Sequence, residues 1–190
     1  MLADTLRFFI QTLGGLFAVA VLLRFAMQAM RVSFSNPFSQ FIMRITDFAV
    51  KPMRRIIPGI GGYDWASLLL AWLTEVLVIV LLQWLGGFPF SLAGVGVWPA
   101  MFGLGAIELV KLALYLIMGL VLVRAVLSWI NPYSPIAPVI YPLTEPMLAP
   151  FRRILPASQI DFSPLVLLIL CQFILAVPLA ALERAALGAF

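Results

Sequence analysis

Ionisable and polar side chains inside apolar segments are the residues of this sequence with the greatest capacity for chemistry. Glu75 lies near the middle of an apolar run, where a carboxylate normally faces a partner or water. A shift of 97 residues aligns Glu75 with Gln172, so both halves of the chain place a polar side chain at one depth. The pair could form a proton or cation site, or hydrogen bonds that fix helix packing. Packing is the favoured interpretation, because one carboxylate with no second acid beside it makes a poor ion path.

Two arginines form a second set of charged residues within the apolar runs. Arg24 and Arg124 each lie one or two turns before the end of their run. Each long side chain can extend to the lipid headgroups, or it can turn inward and pair with a carboxylate. A structural salt bridge is at least as well supported as a transport role. The candidate carboxylates are Glu75, Asp64, Asp161 and Glu145.

Two similar connecting segments end in a pair of arginines. These pairs are Arg54–Arg55 and Arg152–Arg153. Guanidinium groups bind phosphate oxygens through paired hydrogen bonds, which favours contact with anionic lipid or with an acidic partner. The alternative is that the arginines only anchor the topology. Thr144 and Glu145 belong to the second of these segments and are further candidates for contact with lipid or a partner.

The sequence lacks the residues that several kinds of chemistry require. There is no histidine and one cysteine, Cys171, so the usual histidine and cysteine ligand sets for metals and haem are missing. We find no nucleophile–base pair, glycine-rich phosphate loop or carboxylate dyad, and therefore predict no enzyme activity and no cofactor. The net charge of +4 does not indicate nucleic-acid binding, because the basic residues lie beside apolar runs.

Composition places the chain in a membrane. Hydrophobic residues make up 64% of it and charged residues 11%, against roughly 45–50% and about 25% in soluble domains. About 20 apolar residues are needed for one crossing. We predict an all-α membrane protein with four transmembrane helices. They lie within residues 1–30, at 66–85, from 102 or 109 to 129, and at 165–182.

Each connecting segment is predicted to be amphipathic and to lie in, or re-enter, the membrane interface. In the connector 36–58, Asn36 is a candidate helix cap, and Pro37 suits the first helical position. Apolar and basic residues then alternate with helical periodicity, and Pro52 is expected to kink or end the helix. In the connector 134–156, prolines recur every four residues. Since each one removes a helical hydrogen bond, we expect short broken turns there, or a re-entrant backbone that lies against the bundle.

The two halves repeat the same plan, with 1–100 as the first repeat and 101–190 as the second. Because each repeat contains two crossings, the copies enter the membrane from the same side and form parallel repeats. Lysine and arginine concentrate in the connectors, and the loop 86–100 has no charge. We therefore expect connectors 31–58 and 130–156 on the cytoplasmic side of a bacterial inner membrane and both termini in the periplasm.

Several blocks of the second repeat resemble the signature of the YggT family of small integral membrane proteins. They are 124–132, 143–146, 150–156 and 161–164, in that order. The first copy departs from the signature at 27–29, at Phe48 and at Ala66, which points to the second repeat as the better functional candidate. The resemblance implies a bacterial inner-membrane protein linked to osmotic-shock tolerance and ion homeostasis. Relatives are linked to cell division and, in plastids, to cytochrome assembly and nucleoid distribution. The family name implies no agreed biochemical activity.

Two hypotheses follow for the function. The first is a non-enzymatic membrane protein that organises or assists membrane complexes, with its connectors meeting anionic lipid and either a membrane-protein partner or a second copy of the chain. The second is an ion channel or transporter in osmotic or potassium balance, with Glu75 and Gln172 lining its path.

Overall fold

The computed structural model describes residues 1–90, 94–154 and 161–188, and these ranges form helices joined by turns. Four helical segments are long and apolar enough to cross a membrane, which confirms the predicted fold class. They are α1 (Leu2–Ala29), α3 (Trp65–Leu85), α4 (Val97–Ile130) and the segment Ser163–Leu187. Two shorter helices act as connectors, α2 (Pro37–Ile56) between α1 and α3 and α5 (Ala137–Ile154) after α4.

The third crossing begins earlier than the sequence predicts. Helix α4 starts at Val97, not at 102 or 109, and includes Pro99 in its first turn. Proline is tolerated there because the first backbone N–H groups of a helix have no partner within it. The proline therefore costs no hydrogen bond, and α4 extends for 34 residues.

The fourth crossing is interrupted by a π-helical turn. It consists of α6 (Ser163–Ile174), the turn Leu175–Leu179, and α7 (Ala180–Leu187). Pro178 lies within the turn, and a proline cannot fit the regular α-helical bonding pattern. Widening the helix locally relieves the clash of its ring with the preceding turn, so the crossing continues to Leu187.

The first connector forms largely as predicted. The side chain of Asn36 accepts a hydrogen bond from the backbone N–H of Phe38 at 2.9 Å, and Pro37 occupies the first helical position. Of the two effects expected of Pro52, a kink or an end of the helix, the end is wrong, because α2 continues to Ile56. Pro52 faces outward, and the carbonyl that it leaves unpaired belongs to the exposed residue Phe48.

The second connector corrects the expectation of broken turns, because α5 is one continuous helix. Its prolines share a single exposed face, so all the lost hydrogen bonds fall on the side away from the bundle. The opposite face is buried and compensates for the loss by packing. The exposed prolines are Pro138, Pro142, Pro146 and Pro150, and the buried residues include Val139, Leu143, Thr144 and Leu148.

The repeats pack as two helix pairs side by side. Helix α1 packs mainly on α3, and α4 packs mainly on the last crossing. The contact between α3 and α4 joins the two halves. Glycines allow close approach: a Cβ at Gly14 would collide with Val78, and one at Gly105 with Val76. Residues from α1, α2, α4 and α5 share one hydrophobic cluster, so both connectors lie at the same end of the bundle. The side-chain amide of Asn36 also donates to the carbonyl of Pro135 at 2.5 Å.

Candidate functional site

A buried arginine of α1 holds the first connector. Arg24 is only 4% exposed. One of its terminal nitrogens donates to the hydroxyl of Thr46 and to the carboxylate of Asp47, both at 2.8 Å. Thr46 in turn donates its hydroxyl hydrogen to the carbonyl of Ile42 at 2.7 Å. The threonine hydroxyl therefore serves as both acceptor and donor, and the guanidinium is paired without leaving the protein interior.

The second repeat builds the same arrangement. Arg124 of α4 donates to Thr144 at 2.9 Å and to Glu145 at 2.6 Å. Thr144 donates to the carbonyl of Ile140 at 2.8 Å. The guanidinium also lies 5.1 Å from the ring centre of Tyr141, a cation–π distance. We call each set of arginine, threonine and acid a bracket, because it fastens a connector helix to a crossing.

The brackets partly match the inward pairing considered for the two arginines. Of the four candidate carboxylates, Glu145 does pair with Arg124. Arg24 instead pairs with Asp47, which sequence reasoning missed. The signal was present, because a shift of 98 residues aligns Asp47 with Glu145 and one of 100 aligns the two arginines. Since both guanidinium groups are held by connector residues, neither extends alone to the headgroups.

A second link in each repeat joins the end of the connector to the start of the next crossing. Arg54 donates to Asp64, which is 1% exposed and caps α3 by accepting from the N–H and hydroxyl of Ser67. Arg152 donates to Asp161 at 2.8 Å, and Asp161 accepts from the N–H and hydroxyl of Ser163. We call these the cap links. Each one fixes the angle between a connector and the helix that follows it.

The cap links differ between the repeats. Arg152 also bonds Glu145 at 2.9 and 3.1 Å, so the second bracket and cap link form one continuous chain of charges. In the first repeat Arg54 bonds Gln28 at 2.7 Å instead, and Asp47 takes Lys51 as its second cation. The polar network is therefore continuous in the repeat that carries the fuller signature.

The two arginines of each pair have different contacts, although the sequence offered no reason to distinguish them. Arg54 and Arg152 are engaged in the cap links. Arg55 and Arg153 are exposed, and neither makes an ion pair or side-chain hydrogen bond within the described ranges. Only the second arginine of each pair is thus available for an external phosphate or carboxylate.

The carboxylates of the network are held in their ionised form. A hydrogen bond from Lys51 lowers the pKa of Asp47, and one from Arg124 lowers the pKa of Glu145. Burial opposes ionisation of Asp64, but hydrogen bonds from Arg54 and Ser67 outweigh it and lower its pKa as well. Because these folded-state values lie below the unfolded ones, the stabilisation is fully present at neutral pH. It is lost as the pH falls through the lowered values.

Glu75 and Gln172 are not brought together. Glu75 is 8% exposed and faces a cavity of about 310 Å³ among α1, α3 and α4, whereas Gln172 lies exposed on α6. Sequence analysis placed no second acid beside Glu75, but Glu108 of α4 lines the same cavity. Lys111 also lines it and bonds Glu108 at 2.8 Å and Glu183 at 2.6 Å. Packing of α4 against α3 brings Glu108 there, which spacing along the chain did not reveal.

A metal centre is not among the features of the described residues. No group of three or more histidine, cysteine, aspartate or glutamate side chains in ranges 1–90, 94–154 and 161–188 is placed to hold a metal ion. The charged side chains of the brackets and cap links bond one another instead.

Comparison with known proteins assigns the chain to a family. A sequence model of the CCB3/YggT family matches residues 3–85 and again residues 104–182. The chain belongs to the CCB3/YggT family. Each matched CCB3/YggT segment contains one bracket and one cap link. The two-part match thus coincides with the structural repeat.

Relatives of similar length support the assignment to the CCB3/YggT family. A protein of Vibrio alginolyticus described by its position in the proC 3′ region is 42% identical over 90% of this chain and 91% of its own length. The protein named YggT of Escherichia coli K12 is 39% identical over 90% of this chain and 87% of its own length. A Haemophilus influenzae protein is 33% identical, with 87% of each chain covered. No solved structure matches significantly.

Proposed function

We propose that this protein is a non-enzymatic inner-membrane protein that organises or assists membrane complexes and contributes to osmotic-stress tolerance and envelope homeostasis. Its two connectors lie on the cytoplasmic side, and both termini lie in the periplasm. Helix α2 meets anionic lipid there. The end of α4 and the outer face of α5 meet a membrane-protein partner or a second copy of the chain.

The bracket, present in both repeats, is the observation that carries this proposal. Arg24 and Arg124 both form ion pairs with residues of the connectors. Two buried threonines and two acids complete these contacts. A protein that uses these two arginines to position two surface helices is suited to presenting those helices to a partner or to lipid outside the bundle.

Helix α2 has three distinct faces, as a helix lying in the membrane interface requires. One face is buried in the bundle, a second exposes large apolar side chains, and a third exposes polar and basic ones. These faces are, in turn, Ser39, Ile42, Thr46 and Val50; Phe41, Ile45 and Phe48; and Gln40, Arg44, Lys51 and Arg55. The apolar exposed face suits acyl chains, and the basic face suits the phosphates of anionic headgroups.

The second connector offers a different surface. Trp129, Ile130 and Tyr133 are almost fully exposed where α4 turns into α5. Tryptophan and tyrosine supply much of the binding energy of protein interfaces. The exposed proline face of α5 continues this surface and contains few charges. These features favour a protein partner at α5 and lipid at α2.

A transport path through Glu75 and Gln172 is not part of this proposal. Gln172 is exposed on α6 and does not line the cavity that Glu75 faces. These two positions therefore do not support one path through both residues.

Charge reversal tests the lipid contact. We expect the variant with Arg44→Glu and Arg55→Glu to lose most of the anionic lipid that co-purifies with the wild-type protein, since both exposed guanidinium groups contribute directly to headgroup attraction. Native mass spectrometry of protein released from nanodiscs with mixed anionic and zwitterionic lipid measures this. Arg184→Glu, at the opposite end of the bundle, is the matched control. Equal anionic lipid retention in all three proteins would refute the lipid role of α2.

A further inference from the structure

The cavity beside Glu75 adjoins a second cavity at the end of the bundle opposite the connectors. Its volume is about 310 Å³, and it shares Gln11, Ile79, Leu82 and Glu108 with a neighbouring cavity of about 470 Å³. The second cavity is lined by Arg7, Gly86 and Glu183, which lie near the start of α1, the end of α3 and the end of the last crossing. The second cavity therefore lies between the cavity of Glu75 and the expected periplasmic surface.

Glu75 itself has no partner in the described part of the chain. Its side chain is more than nine-tenths buried, and no ion pair or hydrogen bond reaches its carboxylate from the described residues. Lys111 lines the same cavity, but its amino group is held by Glu108 and Glu183. The cavity thus contains one carboxylate whose charge no side chain offsets.

An unpaired carboxylate in the membrane interior is costly, and a proton or a bound cation removes that cost. The cavity has room for about ten molecules of water, at roughly 30 Å³ each. A proton needs neither a cavity nor further oxygen donors, whereas a cation needs both, and both are present beside Glu75.

The lining groups indicate which cation fits. Gln11, Glu108 and Tyr115 line the same cavity as Glu75 and carry amide, carboxylate and hydroxyl oxygens. Hard oxygen donors bind alkali and alkaline-earth cations in preference to softer metals. Calcium sites use several carboxylates, whereas no cluster of three acids occurs among the described residues, and a single charge remains to be offset.

We propose that the Glu75 cavity binds one small monovalent inorganic cation, with Glu75 as its anionic ligand. The site is independent of the proposed lipid and partner surfaces, because it lies among α1, α3 and α4, away from the connectors. Failure of one proposal therefore leaves the other standing.

The test measures thermal unfolding of the full chain in zwitterionic nanodiscs, at equal ionic strength, with sodium, potassium or choline chloride. We expect sodium or potassium to raise the unfolding temperature of the wild type saturably, and choline, which is too large for ligation by these oxygens, to leave it unchanged. Glu75→Gln should lose the shift. In choline it should be more stable than the wild type, because it removes an unpaired buried charge.

Two further variants keep the test decisive. Gly15 lines the cavity, and a Cβ there would meet no heavy atom within 4 Å, so Gly15→Leu fills part of the space while leaving the Glu75 carboxylate in place, and it should also lose the shift. Gln172→Leu, on the outer surface, should keep it. The proposal is overturned if the wild type unfolds alike in all three salts, or if Glu75→Gln retains the shift. An infrared carbonyl band of a protonated carboxyl at neutral pH that disappears in Glu75→Gln would overturn it as well.

Discussion

Asp47→Leu should lower the free energy of unfolding by about 3 kcal/mol, the low end of the cost of breaking a buried ion pair. The mutation leaves Arg24, which is almost fully buried, with a charge that Thr46 alone cannot offset. Burying an unpaired guanidinium is among the few single changes with so large an effect. Denaturant unfolding in detergent micelles, followed by tryptophan fluorescence, measures the difference.

Mutation of the other partner of the ion pair provides the matched comparison. Arg24→Leu leaves Asp47, whose side chain is 28% exposed and which still has Lys51 as a partner, so it should cost less than Asp47→Leu. The double variant should recover part of the loss, since neither charge is then unpaired. A smaller effect for Asp47→Leu than for Arg24→Leu would show that the bracket does not depend on the buried arginine.

Asp64→Ala should lower the free energy of unfolding by about 2 kcal/mol, at the upper end of the range for removing a helix cap. Asp64 accepts from Ser67 at the start of α3 and from Arg54, and it is 1% exposed. The same experiment on Asp161→Ala should show a smaller loss, about 1 kcal/mol, since that carboxylate is 44% exposed and water replaces part of its bonding.

An asparagine at position 64 separates the helix cap from the salt bridge. Asp64→Asn keeps a cap acceptor for the backbone of Ser67 and removes the charge that Arg54 faces. It should therefore recover much of what Asp64→Ala loses. Equal losses for alanine and asparagine at Asp64, or a larger loss at Asp161 than at Asp64, would contradict the assignment of the cap links.

Local signals in the sequence predicted much of the fold. The apolar runs located four crossings, and Asn36 followed by Pro37 located the start of α2. Helix capping and bilayer length depend on neighbouring residues along the chain, which is why such features can be read without a structure. Boundaries were less accurate at Pro99 and Pro178, where the effect of proline depends on its position within the helix.

The course of α5 could not be predicted by counting prolines. Counting gives the number of lost hydrogen bonds but not the face on which they fall. In the structure that face is exposed, and the buried face of Val139, Leu143 and Leu148 holds the helix in place. Tertiary packing therefore overrides the local preference.

In the candidate sites, too, some contacts could be predicted from the sequence and others depend on tertiary packing. Pairing of Arg124 with Glu145 was among the predicted alternatives, and the repeat alignment contained the information needed for Asp47. By contrast, Glu108 approaches Glu75 only because α4 packs against α3. Aligning the repeats extends predictions from one copy to the other, but contacts between helices distant in sequence require the fold.

Photo-cross-linking in native membranes tests the central claim most directly. A photoreactive phenylalanine analogue replaces Tyr133, which is exposed at the turn into α5, and in a separate protein replaces Ser33, which a shift of 100 residues aligns with it. We predict a discrete protein adduct, with a partner or a second copy of the chain, from position 133 and not from position 33. Lipid adducts alone from both positions would contradict the account.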